Sequence, residues 1–200
     1  GLIGANGAGK STTIKAMMGL LPKFEGEINL HSIRYAYIPE HPVFYDELTL
    51  WEHLEFQAAI FQLRNWEMRA EKLLERFQLS HVKHDLLTSY SKGMRQKVML
   101  VLAFMLKPDL YIVDEPFIGL DPRSTKEFLK LLLEEKNRGA SIFMSTHVLD
   151  TAEKICDRIL LMENGTIIAS GTLQQLRDRC QLPNGSLLDC FDRILEEHVR

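Results

Sequence analysis

The sequence predicts an α/β fold, and three observations carry that class. A glycine-rich turn, GANGAGKS at residues 4–11, lies between a short apolar run and an apolar stretch with helical character. Two further apolar, β-rich runs, LYIVDE and SIFMSTH, end in polar groups, as buried parallel strands do when they deliver side chains at their C-terminal ends. Stretches of helical periodicity separate these runs, so strand and helix alternate along the chain. Composition agrees: 46% hydrophobic and 26% charged residues over 200 positions is ordinary for a globular chain able to bury a core.

Taken in order, Leu2 and Ile3 end an apolar strand, and TTIKAMMGL continues as a helix that Gly19 and Pro22 stop. The turn between them satisfies G-x-x-x-x-G-K-[ST] in the strand-to-helix context that the pattern requires. Gly4, Gly7 and Gly9 open backbone conformations closed to other residues, so that successive N–H groups can line an anion-sized hollow. Lys10 would place its charge on the β- and γ-phosphates, Ser11 would offer a hydroxyl to Mg²⁺, and the helix start adds its partial positive charge. The expected ligand of this loop is nucleotide phosphate.

Further on, T-x-x-E at Thr49 and Glu52 is a capping box opening LWEHLEFQAAIFQLRNW, and EMRAEKLLERFQL follows as a second helical stretch. Trp51, Leu54, Phe56, Ile60 and Phe61 are expected to form the core of this helical insert. In SYSKGMRQKVML, Ser91 is a natural N-cap and Gly93 permits close approach to a ligand. The apolar run Val98 to Leu106 is far shorter than the roughly 20 residues that span a bilayer, and reads as a buried helix. Asp114, at the end of LYIVDE, would hold Mg²⁺ through its water shell, and Glu115 would polarise an attacking water. Asp121 follows in IGLDP, and His147 comes just after the SIFMST strand. Gly4, Asp114 and His147 would then converge beyond the strand ends of one open sheet. Asn164-Gly165 supplies the turn of a hairpin from Leu160 to Ala169, and two charge-rich helices joined through Pro183-Asn-Gly185 end the chain.

A net charge of −3 and a pI near 6.2 argue against a nucleic-acid footprint. Cys156, Cys180 and Cys190 form no C-x-x-C pair and read as reduced thiols, and His81 and His84 have no third ligand nearby. No span, signal peptide or lipidation motif is visible, so any membrane role is expected to run through a partner. A plain phosphate-loop kinase would explain GANGAGKS but leave YSKGMRQ and His147 without purpose.

The order GANGAGKS, YIPEHP, YSKGMRQ, LYIVDEP, GLDP, STH resembles the nucleotide-binding domain of ABC transporters, and its wording most resembles the Ecs-type ATPase subunits of bacterial exporter-like systems. The resemblance implies a P-loop NTPase fold of the ABC-type ATPase core, with an inserted α-helical subdomain at 41–90 and a small antiparallel β portion. It places the ATPase domain at 1–170, with its N-terminal part missing, and a helical tail at 171–200. The cofactors implied are ATP and Mg²⁺. On that likeness Gly4, Asn6, Gly7, Ala8, Gly9, Lys10, Ser11 and Thr12 form the phosphate loop, and Ser91 and Gly93 belong to the signature segment. Ser11, Glu40 and Asp114 are metal positions, Glu115 is the base, Asp121 the D-loop aspartate and His147 the switch histidine.

Two departures stand out: Tyr90-Ser91-Lys92-Gly93-Met94 replaces the family's LSGGQ, and Glu40 replaces the Q-loop glutamine. The family's first strands and its adenine-stacking aromatic are expected ahead of residue 1, and the interval between Leu30 and Tyr35 is short for the pair of strands usual there. The implied partners are a polytopic membrane subunit, docked by the helical insert, and a second copy or another ABC ATPase. The two ATPases would hold each ATP head-to-tail between the phosphate loop of one and Ser91–Gly93 of the other, at the cytoplasmic face of the cell membrane. The alternative, a soluble ABC-type ATPase acting on ribosomes or DNA, would call for tandem cassettes, a long coiled coil or a basic surface.

Overall fold

In the computed structural model, which describes residues 1–30 and 33–199, the chain runs β1 (Leu2–Ile3), α1 (Lys10–Met17), β2 (Tyr35–Ile38), α2 (Leu50–Ile60) and α3 (Trp66–Phe77). Two single 3₁₀ turns, Ser80–Val82 and Leu87–Ser89, lead into α4 (Lys92–Met105), β3 (Leu110–Asp114), α5 (Pro122–Arg138) and β4 (Ser141–Thr146). The chain closes with α6 (Leu149–Ile155), β5 (Ile159–Glu163), β6 (Thr166–Gly171), α7 (Leu173–Cys180) and α8 (Leu187–Val199). The expectation for the interval between Leu30 and Tyr35 falls partly on His31 and Ser32, which lie outside the described residues. The chain divides into two compact units, Gly1–His31 with Phe143–Arg200, and Ser32–Ile142.

In the first unit β1 lies between two parallel neighbours, β4 (Leu2↔Ser145, Ile3↔Thr146) and β5 (Leu2↔Leu160, Ile3↔Leu161). Its two residues are both buried, as expected of a strand paired on both sides. β6 returns antiparallel to β5 through Asn164 (φ 46°) and Gly165 (φ 79°), the positive-φ pair that a tight hairpin needs. Ile3, Ile159, Leu161 and Ala169 pack with Leu176, Leu187, Phe191 and Ile194 of α7 and α8. Thr172 and Gln175 form a capping box at the start of α7. The turn after it is tied down where Arg177 Nε donates to the Gly185 carbonyl at 2.7 Å.

The second unit carries the parallel pair β2–β3, from Tyr35↔Leu110 to Ile38↔Val113, together with α2–α5. The capping box at Thr49 and Glu52 opens α2, and the apolar run of α4 buries Val98, Leu100, Val101, Phe104 and Met105. The core of the helical insert differs from expectation. Leu54 is fully buried, whereas Phe56, Ile60 and Phe61 are 46%, 57% and 54% exposed and Trp51 is half-buried. The inward face of α2 is Leu50, His53, Leu54 and Ala58, since the apolar residues are spread around the helix among Glu52, Glu55 and Gln57 and a histidine takes a core place. The helix also stops at Ile60 rather than running to Trp66, with left-handed residues at Gln62 (φ 52°) and Asn65 (φ 51°). His81 and His84 are both exposed, and the cysteines are free thiols.

Candidate functional site

The glycine-rich turn begins where β1 ends. A side chain on Gly4 would run into the Met162 carbonyl of β5, so the main chain can leave the strand here only as glycine. Gly9, at φ 106°, caps α1 in the left-handed region, and among the described residues no side chain caps that helix start. The Gly165 N–H of the hairpin donates to the Ala8 carbonyl at 2.8 Å, bracing the loop from the β5–β6 turn. Lys10 is buried, and its Nζ donates to the carbonyls of Gly4 at 2.8 Å and Ala5 at 3.1 Å. Asn6, Gly7 and Thr12 are exposed, Ala8 is buried and Ser11 is half-buried. A helix start, a glycine cradle and a fixed ammonium match the chemistry of a phosphate chain.

His147 leaves the same sheet edge as Gly4. Ile3 pairs with Thr146 in parallel register, so the residues that follow, Gly4 and His147, emerge from neighbouring strand ends. Thr146 Oγ1 accepts the Val148 N–H at 3.0 Å, turning the chain so that His147 is exposed.

The second unit repeats this arrangement with acids. Ile38 pairs with Val113, so Pro39-Glu40 and Asp114-Glu115 leave adjacent strand ends. Asp114 and Glu115 are buried, and Glu115 has φ 46°, a left-handed conformation costly for a residue with a Cβ and typical of functional turns. Glu40 is half-buried, with the His41 imidazole 3.8 Å from its carboxylate. Tyr37, which the sequence offers only as a strand residue, belongs to this cluster. Burial and the negative charges of Asp114 and Glu40 push its hydroxyl above the usual phenol range. Among the described residues no group of three or more His, Cys, Asp or Glu side chains could hold a metal alone. Mg²⁺ is commonly held by few protein oxygens completed by phosphate and water, and the carboxylates of Asp114 and Glu40 at adjacent strand ends of this unit are oxygens of that kind.

Ser91 caps α4, its Oγ accepting the Met94 N–H at 3.3 Å, and the Tyr90 hydroxyl donates to the Val82 carbonyl at 2.5 Å. A side chain on Gly93 would start 3.0 Å from the Gly119 carbonyl oxygen. Asp121 caps α5, accepting the Ser124 N–H at 2.8 Å. The Lys97 ammonium, followed by the Ser124 N–H, holds the Asp121 carboxyl well below the usual carboxylate range. Sequence reasoning missed Lys97, since nothing local to SKGMRQK announces a partner 24 positions away.

A family model described as "ABC transporter" matches residues 1–118. The chain is 56% identical to the uncharacterized ABC transporter ATP-binding protein YthP of Bacillus subtilis (strain 168), covering 98% of this chain and 84% of that protein. It is 43% identical to the ABC-type transporter ATP-binding protein EcsA of the same organism, covering 98% and 85%. A solved structure described as the ATP-binding subunit of an ABC transporter superposes with a TM-score of 0.93 at 43% identity, covering 97% of this chain and 86% of that one. The parallel strands, the braced phosphate loop and these likenesses agree, and the chain belongs to the ABC transporter family as an ATP-binding subunit.

Proposed function

We propose that this chain hydrolyses ATP to drive a polytopic membrane partner, most simply an exporter, through ATP-dependent closure of a head-to-tail dimer at the cytoplasmic face of the membrane. Residues 1–170 act as the ATPase domain and 171–200 as a helical tail. The observation that carries the reading is the strand register. It sends Gly4 and His147 out together in one unit, and Glu40 with Asp114 and Glu115 out together in the other.

The residues divide the work by their chemistry. Lys10 and the N–H groups from Asn6 to Thr12 bind the phosphates, and Ser11, Asp114 and Glu40 would hold Mg²⁺. When bound, the metal neutralises charge on the phosphate oxygens. Glu115 accepts the proton of the attacking water, and His147 hydrogen-bonds to the terminal phosphate. Ser91 and Gly93 of the second copy close over the nucleotide, with Asp121 alongside.

Among the described residues no helix is long and apolar enough to cross a membrane. The exposed Phe56, Ile60 and Phe61 offer a partner an apolar face, and Tyr45 extends it by packing edge-on against Phe56 at 5.5 Å.

Glu115→Gln tests the reading, because the amide keeps the shape and loses the basic oxygen. Hydrolysis should fall about 100-fold or more while ATP binding persists, and ATP should now trap a dimer visible by size exclusion. Turnover at the wild-type rate would remove Glu115 as the base and sink the proposal.

A further inference from the structure

In the second unit the first turns of α4 and the segment from Glu115 to Asp121 touch at successive points. A side chain on Gly93 would start 3.0 Å from the Gly119 carbonyl oxygen, and a side chain on Gly119 would start 3.9 Å from Lys92 Cε. One turn further along α4, Lys97 Nζ lies 2.8 Å from Asp121 Oδ2, with the lysine side chain only 13% exposed. Both oxygens of Asp121 are committed. Oδ1 accepts the Ser124 N–H, and Oδ2 accepts the Ser124 hydroxyl as well as the Lys97 ammonium. Between these points Phe117 packs edge-on against Phe128 at 5.9 Å, anchoring the middle of the segment in the core. The Asp121 side chain is 48% exposed, so solvent screens the pair in part; what sets it apart is a largely buried ammonium and a carboxylate already fixed as a helix cap.

We propose that Lys97 is a positioning residue, whose ammonium clamps the Ser91–Gly93 turn to the Glu115–Asp121 segment so that the two move as one body. The position of the α4 start then sets where the Glu115 carboxylate stands. This rests on the reading above, in which Ser91 and Gly93 meet phosphate and Glu115 is the base. Lys97 touches neither nucleotide nor water in this scheme, so its loss acts on turnover rather than on nucleotide affinity.

The test is a double-mutant cycle on steady-state ATP hydrolysis by the full chain. Lys97→Met keeps the length of the side chain and removes the charge, and Asp121→Asn keeps a capping oxygen and removes the partner charge. Each is expected to lower kcat about tenfold with a modest fall in melting temperature, and Lys97→Met should keep the Kd for ATP near wild type. The double variant should be no worse than either single, since one interaction is removed twice. Lys97→Arg should recover most of the turnover. Effects that multiply in the double variant, or a Lys97→Met enzyme with wild-type kcat, overturn the clamp. Glu115→Gln run in parallel separates the failures. If it is inactive while Lys97→Met is normal, only the clamp fails; if it too turns over normally, the reading beneath the clamp has failed and the clamp falls with it.

Discussion

The glycine-rich turn before α1 and the turn that opens α4 both stand at the start of a helix, yet they are built in different ways. The loop is specified largely by main chain against main chain, with the Lys10 ammonium on the Gly4 and Ala5 carbonyls as a side-chain tie. Gly4 slides under the Met162 carbonyl, Gly9 turns left-handed, and the hairpin holds Ala8 through a backbone bond. The α4 turn is held mainly by side chains of its own segment reaching outward, namely the Ser91 cap, the Tyr90 hydroxyl on Val82 and the Lys97–Asp121 pair, with one main-chain approach at Gly93 against the Gly119 carbonyl. Where main chains approach to contact, the residue types have almost no freedom. Where tethers do the holding, YSKGM can stand in place of LSGGQ.

The sharpest way to break this comparison is Gly4→Ala. The added methyl meets a carbonyl of β5, a strand paired on both sides, so neither partner can give way cheaply. The expected cost is about 1–3 kcal/mol in stability, as for other overpacked sites, with ATP affinity reduced at least about tenfold because the hollow is displaced. Thermal melts and a nucleotide titration read the two effects. Wild-type ATP affinity in this variant would mean that the loop is not set by its backbone contacts.

The same contrast explains what could be read from the sequence. GANGAGKS, the caps at Thr49, Ser91 and Thr172, the Asn164-Gly165 hairpin and the strands ending at Asp114 and Thr146 all leave local marks, because each is decided within a few residues. The inward face of α2 left no such mark. Its apolar residues surround the helix, and the core place goes to His53, whose Nδ1 bonds the Thr49 carbonyl at 2.8 Å while Nε2 accepts the Tyr45 N–H at 3.1 Å. Two bonds make a buried imidazole acceptable where periodicity calls for an aliphatic side chain. Tyr37 and Lys97 were hidden for a related reason: their partners, Asp114 and Asp121, are brought near only by the fold.

The far end of α4 offers a tether outside the site, and so sharpens the comparison. Arg69 of α3 donates to the Phe104 carbonyl from Nε at 2.9 Å and from its terminal nitrogen at 2.6 Å, and reaches Glu135 of α5 at 3.1 Å. Glu135 is buried and keeps the Arg138 guanidinium as a second partner at 2.6 Å, so losing Arg69 does not strand it. Arg69→Ala is expected to cost about 2 kcal/mol, the worth of charge-assisted hydrogen bonds partly compensated. Hydrolysis per folded molecule should stay within about twofold of wild type, since the α4 start keeps its own tethers. Denaturant melts and kcat on the folded fraction decide it. A large fall in kcat without a stability loss would show that the tethers along α4 are not separable.

The smallest effect expected is that of Tyr90→Phe, which removes a single tether of the α4 turn. The phenol is buried and its hydroxyl bonds the Val82 carbonyl; burial, with the nearby Asp85 charge, raises its pKa from 10.0 to about 12. The neutral, donating form is therefore the one that the folded chain favours. Because the folded value lies above the unfolded one, the stabilisation is complete below pH 10 and is lost as pH rises from 10 through about 12. At pH 7–9 the variant should be less stable by about 1 kcal/mol, the net worth of one hydrogen bond. By pH 11 the gap should have narrowed, because ionisation draws the wild-type chain toward the unfolded state and phenylalanine has no proton to lose. Urea melts of both chains at pH 8 and pH 11 measure the gap directly. If it is the same at both, the hydroxyl is not held in the folded chain, and the α4 turn rests on Ser91 and Lys97 alone.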